Sequence, residues 1–110
     1  MLSRTPILPG LEAVLKSDRV AHEPARLVIL ALLSAVQEAD FSYLLTESGL
    51  TQGNLSAHLT KLEDAGYVGV EKSFKGKRPR TTLVLTDAGR KAFADHARTL
   101  QRFFKLTGVA

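Results

Sequence analysis

Between Phe41 and Gly66 leucines recur in two short runs, Leu44 and Leu45 in the first and Leu55, Leu59 and Leu62 in the second, with polar residues around them. The steps of three and four in the second run put its leucines on one side of a helix, and each run predicts a short amphipathic helix. Gly49 and Gly66 stand where each helix should stop, and Thr51 offers a hydroxyl to the free N–H groups that open the second. Leu45 with Leu50, and Leu62 with Tyr67, are spaced as the apolar pairs that accompany a left-handed residue past a helix end. Two helix ends with the same chemistry make two helices joined at Ser48 to Leu50 a more specific reading than periodicity alone.

Upstream, Pro6 and Pro9 bracket the start of a helix running to about Ser17, with Leu8, Leu11, Val14 and Leu15 on one apolar face. So short a helix is stable only if that face lies on its own core or on a partner chain. Asp18 to Glu23 reads as a connector. Pro24 then opens a helix to about Ala39 whose middle, LVILALLSAV, is apolar nearly all round, as in a central helix buried on several sides. Asp40 or Ser42 can cap the helix that follows.

After Gly66 the period changes. Tyr67 to Phe74 and Thr81 to Leu85 are rich in β-formers, and KGKRPR between them predicts a hairpin with a long, basic tip. Thr86 caps a last helix on which Phe93, Ala97, Leu100 and Phe104 follow at steps of four, three and four. Phe103 and Leu106 widen that apolar face, while Lys91, Asp95, Arg98, Arg102 and Lys105 take the other side. The width favours contact with a second copy, with Leu8, Leu11, Leu15, Phe93, Ala97, Leu100, Phe103 and Phe104 as candidate dimer residues.

These elements make one domain of 110 residues, mainly α with a small β-hairpin. A helix within 1–19 precedes a helix-turn-helix at 41–66, a hairpin at 67–85 and a helix at 86–107, the order of a winged helix-turn-helix flanked by N- and C-terminal helices. Cysteine is absent and the N-terminus lacks the long apolar run of a signal peptide, which predicts a cytoplasmic protein. The longest apolar run, Leu27 to Leu33, is too short to span a bilayer, and no membrane partner is expected.

Net charge is +4, but residues 1–50 carry −2 and residues 51–110 carry +6. A basic field confined to one half points toward a polyanion, nucleic acid being the usual one, with membrane surfaces and plain solubility as the alternatives. With Leu55, Leu59 and Leu62 inward, about 100° per residue places Gly53, Ala57 and Thr60 opposite them, flanked by Asn54, Ser56 and Lys61. Gly53 and Ala57 permit close approach to DNA. The amides of Asn54 and Gln52 suit base edges in a major groove, and Thr51 lies at the leading end. Ser56, Thr60 and Lys61 suit phosphate oxygens or lone base contacts, and His58, nearer the core side, suits packing or a backbone contact as well as base reading. Lys72, Lys75, Lys77, Arg78 and Arg80 place five cations in nine positions with no acid among them, able to clamp phosphates or enter a minor groove.

The segments HEPARLVILALL, DFSYLL, GNLSAHLTKLEDAGYV and KSFKGKRPRTTLVLTDAGRKAF resemble the small bacterial and archaeal winged-helix transcriptional regulators related to the MarR and ArsR groups, over roughly residues 20–105. The resemblance implies a homodimer held by its terminal helices, bound to a pseudo-palindromic double-stranded operator, and acting as a repressor. A metal or ligand sensor of ArsR type is the nearest rival. It finds no cysteine and only His22, His58 and His96, widely spaced, while Asp95 and His96 are adjacent and cannot share a helical face. No metal and no cofactor are expected, and no small-molecule effector is identified. Nor does any nucleophile elbow or phosphate loop point to an enzyme. A winged helix used for protein contact alone would tolerate neutral residues at 75–80, where this chain is basic.

Overall fold

The computed structural model describes residues 9–108, so the expectations at Pro6 and Leu8 lie outside the described residues. The elements in order are α1 (Pro9–Leu15), α2 (Pro24–Val36), β1 (Glu38–Asp40), α3 (Phe41–Ser48), α4 (Gln52–Asp64), β2 (Val68–Lys75), β3 (Arg78–Leu85) and α5 (Asp87–Leu106). The strands form one antiparallel sheet in the order β1-β3-β2.

Local chemistry fixes most of the boundaries. Pro24 occupies the first turn of α2, and the Glu23 carboxylate accepts the Arg26 N–H at 2.8 Å. Of the two candidate caps for α3, Asp40 takes the role and accepts the Tyr43 N–H at 2.8 Å. Thr86 caps α5 by accepting the Gly89 N–H at 3.0 Å, and its own hydroxyl donates to the Gly66 carbonyl at 2.6 Å.

Helix α2 ends at Val36, short of the expected Ala39. Gln37 adopts a positive φ of 70°, and its N–H closes the helix on the Leu33 carbonyl at 2.8 Å. The chain thus turns Glu38–Asp40 into a third strand with Ala39 opposite Leu83. Glu and Ala favour helix by propensity, but pairing with β3 and burial of Ala39 outweigh that preference.

The core is a leucine layer between helices and sheet. Ile29, Leu30 and Leu33 of α2, Leu44 of α3, Leu55 and Leu62 of α4 and Leu83 of β3 are fully buried. The expectation that α2 is buried on several sides is corrected here: Val28, Ala31 and Ala35, at steps of three and four, lie on a stripe that no element among the described residues covers. Helix α1 lies on α5, and a Cβ at Gly10 would run into Leu106 and crowd Arg102.

Candidate nucleic-acid interface

The turn between α3 and α4 is built as its glycine requires. Gly49 is left-handed at φ 69°, and the Leu50 N–H donates to Ser48 Oγ at 3.2 Å. Thr51 Oγ1 then accepts the Asn54 N–H at 3.2 Å and sets the first turn of α4. At the other end Gly66 is also left-handed, and the Tyr67 N–H reaches back to the Leu62 carbonyl at 2.9 Å, the six-to-one bond of a Schellman end.

Because Leu55, Leu59 and Leu62 point into the core, Thr51, Gln52, Gly53, Asn54, Ser56, Ala57, Thr60 and Lys61 are all exposed. No acidic residue sits in the first turn of α4, so its N-terminal N–H groups present an uncancelled positive end. The Thr60 hydroxyl is spent on the Ser56 carbonyl at 3.0 Å. His58 stands apart from this face. Half-buried, its Nδ1 lies 3.5 Å from a Glu23 carboxylate oxygen and 3.4 Å from the Arg26 guanidinium, which itself donates to the Val20 carbonyl at 2.7 Å. His58 therefore ties α4 to the start of α2. Burial raises the Glu23 pKa, but the N–H groups of Arg26 and Ala25, with the charges of His58 and Arg26, bring it below the usual carboxylate value.

The hairpin differs from the expected long tip. Strand pairing continues to Lys75 opposite Arg78, leaving Gly76, at φ 65°, and Lys77 as a two-residue turn. Lys72, Lys75, Arg78 and Arg80 thus stand on paired strands, which hold them more rigidly than a loop would, and Lys77 stands in the turn. Opposed residues share a face of an antiparallel ribbon, so Lys75 and Arg78 lie on the same face as Ser73 and Arg80. Lys72 and Thr81 lie on the opposite face with Phe74 and Pro79. Every residue from 71 to 80 is exposed.

Two histidines that are far apart in sequence meet in space. His22 Nδ1 lies 3.1 Å from His96 Nε2, and His96 is buried, with its Nδ1 lacking any hydrogen-bond partner among the described residues. Next to them the Tyr67 hydroxyl donates to the Asp18 carboxylate, which also accepts the Val20 N–H at 2.8 Å. Burial and the neighbouring His22 lower the His96 pKa, against the opposing charge of Asp18. Burial pushes the Asp18 carboxyl up, but the bonds from Tyr67, Ala21 and Val20 and the His96 charge bring it down overall. The Tyr67 phenol is pushed up to about 12 by its bond to Asp18, by burial and by that carboxylate's charge. The cluster borders a cleft of about 540 Å³ between the end of α1 and α5. Sequence reading missed it because only the fold joins the Asp18 connector, the Tyr67 corner and α5. No group of three or more His, Cys, Asp or Glu side chains able to hold a metal occurs among the described residues.

On the terminal helices, Leu11, Phe93, Ala97, Leu100 and Phe103 are half-buried, while Leu15 and Phe104 remain exposed, as does Leu106. No helix among the described residues is long and apolar enough to cross a membrane.

With a capped, exposed helix after a glycine turn and a paired basic hairpin beside it, the geometry can be set against known proteins. The profile of the family described as "winged helix DNA-binding domain" matches residues 25–104. The chain belongs to this family. It is a family of DNA-binding winged helices and not of enzymes. An uncharacterised protein of Methanocaldococcus jannaschii is 38% identical over 78 residues, spanning 71% of this chain and 85% of its own. Among solved structures, a transcriptional regulator homologue from Pyrococcus horikoshii superposes with a TM-score of 0.82 at 31% identity, covering 89% of this chain and 96% of that one. A MarR-family regulator from Enterococcus faecalis shares the fold, with a TM-score of 0.69 at 19% identity over 96% of this chain and 94% of its own. Within this winged helix, α3 and α4 are the helix-turn-helix and β2 and β3 the wing.

Proposed function

We propose that the protein is a sequence-specific, double-stranded DNA-binding transcriptional regulator that acts as a homodimeric repressor by occupying a promoter. The observation that carries this reading is the pairing on one body of an exposed, acid-free α4 N-terminus with a ribbon bearing five cations. Helix α4 enters the major groove. Gly53 and Ala57 let its backbone approach, Asn54 and Gln52 read base edges, and Ser56 and Lys61 hold phosphates. His58, held by Glu23 and Arg26, sets the angle of α4 instead of reading a base. Lys72, Lys75, Lys77, Arg78 and Arg80 supply most of the electrostatic attraction from the wing.

Dimerisation through α1 and α5 is supported by the exposure of Leu15, Phe104 and Leu106 on those two helices. Two recognition helices related by a two-fold axis would read half-sites about one helical turn apart, on the order of 34 Å. Selection of bound sequences from a random duplex library tests the division of roles. Arg78→Ala should weaken binding to all sequences about equally, whereas Asn54→Ala should change which sequences are recovered. The reverse pattern would refute the assignment.

A further inference from the structure

The wing carries a feature that phosphate binding does not use. Phe74 is 73% exposed, on the ribbon face opposite that of Lys75, Arg78 and Arg80, and is paired across the strands with Pro79. A single exposed ring is ordinary on a protein surface, but this one stands among Lys72, Lys75, Lys77 and Arg78 at the end of a paired ribbon. The ring stands four residues beyond Val70, the last residue of β2 that is not exposed, or roughly 13 Å at the rise of a β-strand. It therefore lies too far out for its own core to cover.

We infer that Phe74, backed by Pro79, is an apolar wedge that the wing presses against the sugars and base edges of the DNA minor groove, widening the groove or partly unstacking a base step. This inference rests on the DNA-binding reading and assigns the wing a second contact with the same duplex. The argument is one of complementarity. A partner for this tip must be polyanionic, to meet Lys72, Lys75, Lys77 and Arg78, and must offer an apolar surface within the same few ångströms. Duplex DNA does both, because its sugar rings and exposed base steps lie between two rows of phosphates. The two-residue turn and the cross-strand pairing fix the backbone that carries the ring, so little backbone freedom is lost on insertion. Easily unstacked pyrimidine–purine steps under the wing should be preferred without any hydrogen bond to their bases.

The test uses the full chain with a pool of random 40-base-pair duplexes, the variants Phe74→Ala and Phe74→Trp, and Arg78→Ala as a control for the charge contacts. Phe74→Ala should leave the thermal midpoint unchanged and weaken binding about tenfold, the scale of one lost aromatic–base contact, with the salt dependence unaltered. Phe74→Trp should retain affinity, and its fluorescence should shift and quench on DNA as the indole leaves water. If the wild type fails to bind duplex DNA, the underlying reading falls. If it binds and weakens with Arg78→Ala while Phe74→Ala binds as tightly and Phe74→Trp shows no spectral change, the wedge alone is overturned. An indole that responds only to anionic phosphatidylserine vesicles would also overturn it, by showing that the tip meets a membrane instead.

Discussion

Alanine in place of glycine should act with opposite signs on two helices of this fold. Gly89 lies in the first turn of α5, is buried, and has the Tyr67 carbonyl where a Cβ would go, with Leu85 Cδ1 at 2.9 Å. That carbonyl accepts the Thr86 N–H at 3.1 Å, so moving it disturbs the junction between α5 and the hairpin. Overpacking against backbone costs up to about 3 kcal/mol. Against it stands the better helix propensity of Ala, up to about 1 kcal/mol. Gly89→Ala should therefore lower stability by about 2 kcal/mol. At Gly53, in the first turn of α4, nothing lies within 4 Å of the added methyl group. Gly53→Ala should stabilise the fold by roughly 0.5 kcal/mol through the same propensity term. Urea unfolding followed by circular dichroism, at one fixed protein concentration because the proposed dimer would dissociate on dilution, reads both changes. A Gly89→Ala protein as stable as the wild type would refute the packing at this junction. Gly53→Ala carries a second readout, since a methyl group on the surface proposed to enter the major groove should weaken DNA binding although the fold is more stable.

Thr51→Ala removes the cap of α4 and should cost about 1 kcal/mol in the same unfolding assay. Because the His96 pKa is lowered on folding, the unfolded chain binds more protons than the folded one once the pH falls below about 6.5. Stability should accordingly be level from pH 8 to 7 and decline toward pH 5, and His96→Gln should flatten that decline in melting curves taken across the range. Tyr67→Phe leaves the Asp18 carboxylate without its phenol donor and should cost about 1.5–3 kcal/mol, the range for a hydrogen bond to a charged group. The same variant should abolish the late ionisation near pH 12 in an ultraviolet titration of the folded protein.

What could be read from the sequence was what local chemistry dictates. Gly49, Thr51, Gly66 and Thr86 each act within a few residues of themselves, and all four stand in the structure as their side chains require. The leucine spacing of α4 likewise determined which of its residues are exposed. What could not be read depends on distant partners. The strand at Glu38–Asp40 exists because β3 offers an edge, and three residues of weak β propensity give no warning of it. Basic residues and glycine made KGKRPR look like a loop, yet the register of β2 and β3 carries the pairing up to Lys75 and Arg78. His58 showed its core-side bias in the helical spacing, but its contacts with Glu23 and Arg26 needed the packing of α2 on α4. Asp18, His22, Tyr67 and His96 carried no shared signal, because they come from three separate parts of the chain: the connector before α2, the residue after Gly66, and α5. Phe74 read as an ordinary strand residue, and only its exposure at the end of a paired ribbon sets it apart.

The central claim is that a basic wing and an acid-free helix end hold this protein on DNA, and the salt dependence of binding tests it most directly. Fluorescence anisotropy with a labelled duplex, titrated from 50 to 300 mM salt, gives the slope of log affinity against log salt. The wild type should show a steep negative slope, and Lys75→Ala, Arg78→Ala and Arg80→Ala combined should reduce it by nearly one unit per lost phosphate contact, about 2.7 in all. A wild-type slope near zero, or a triple variant with the slope of the wild type, would contradict the account.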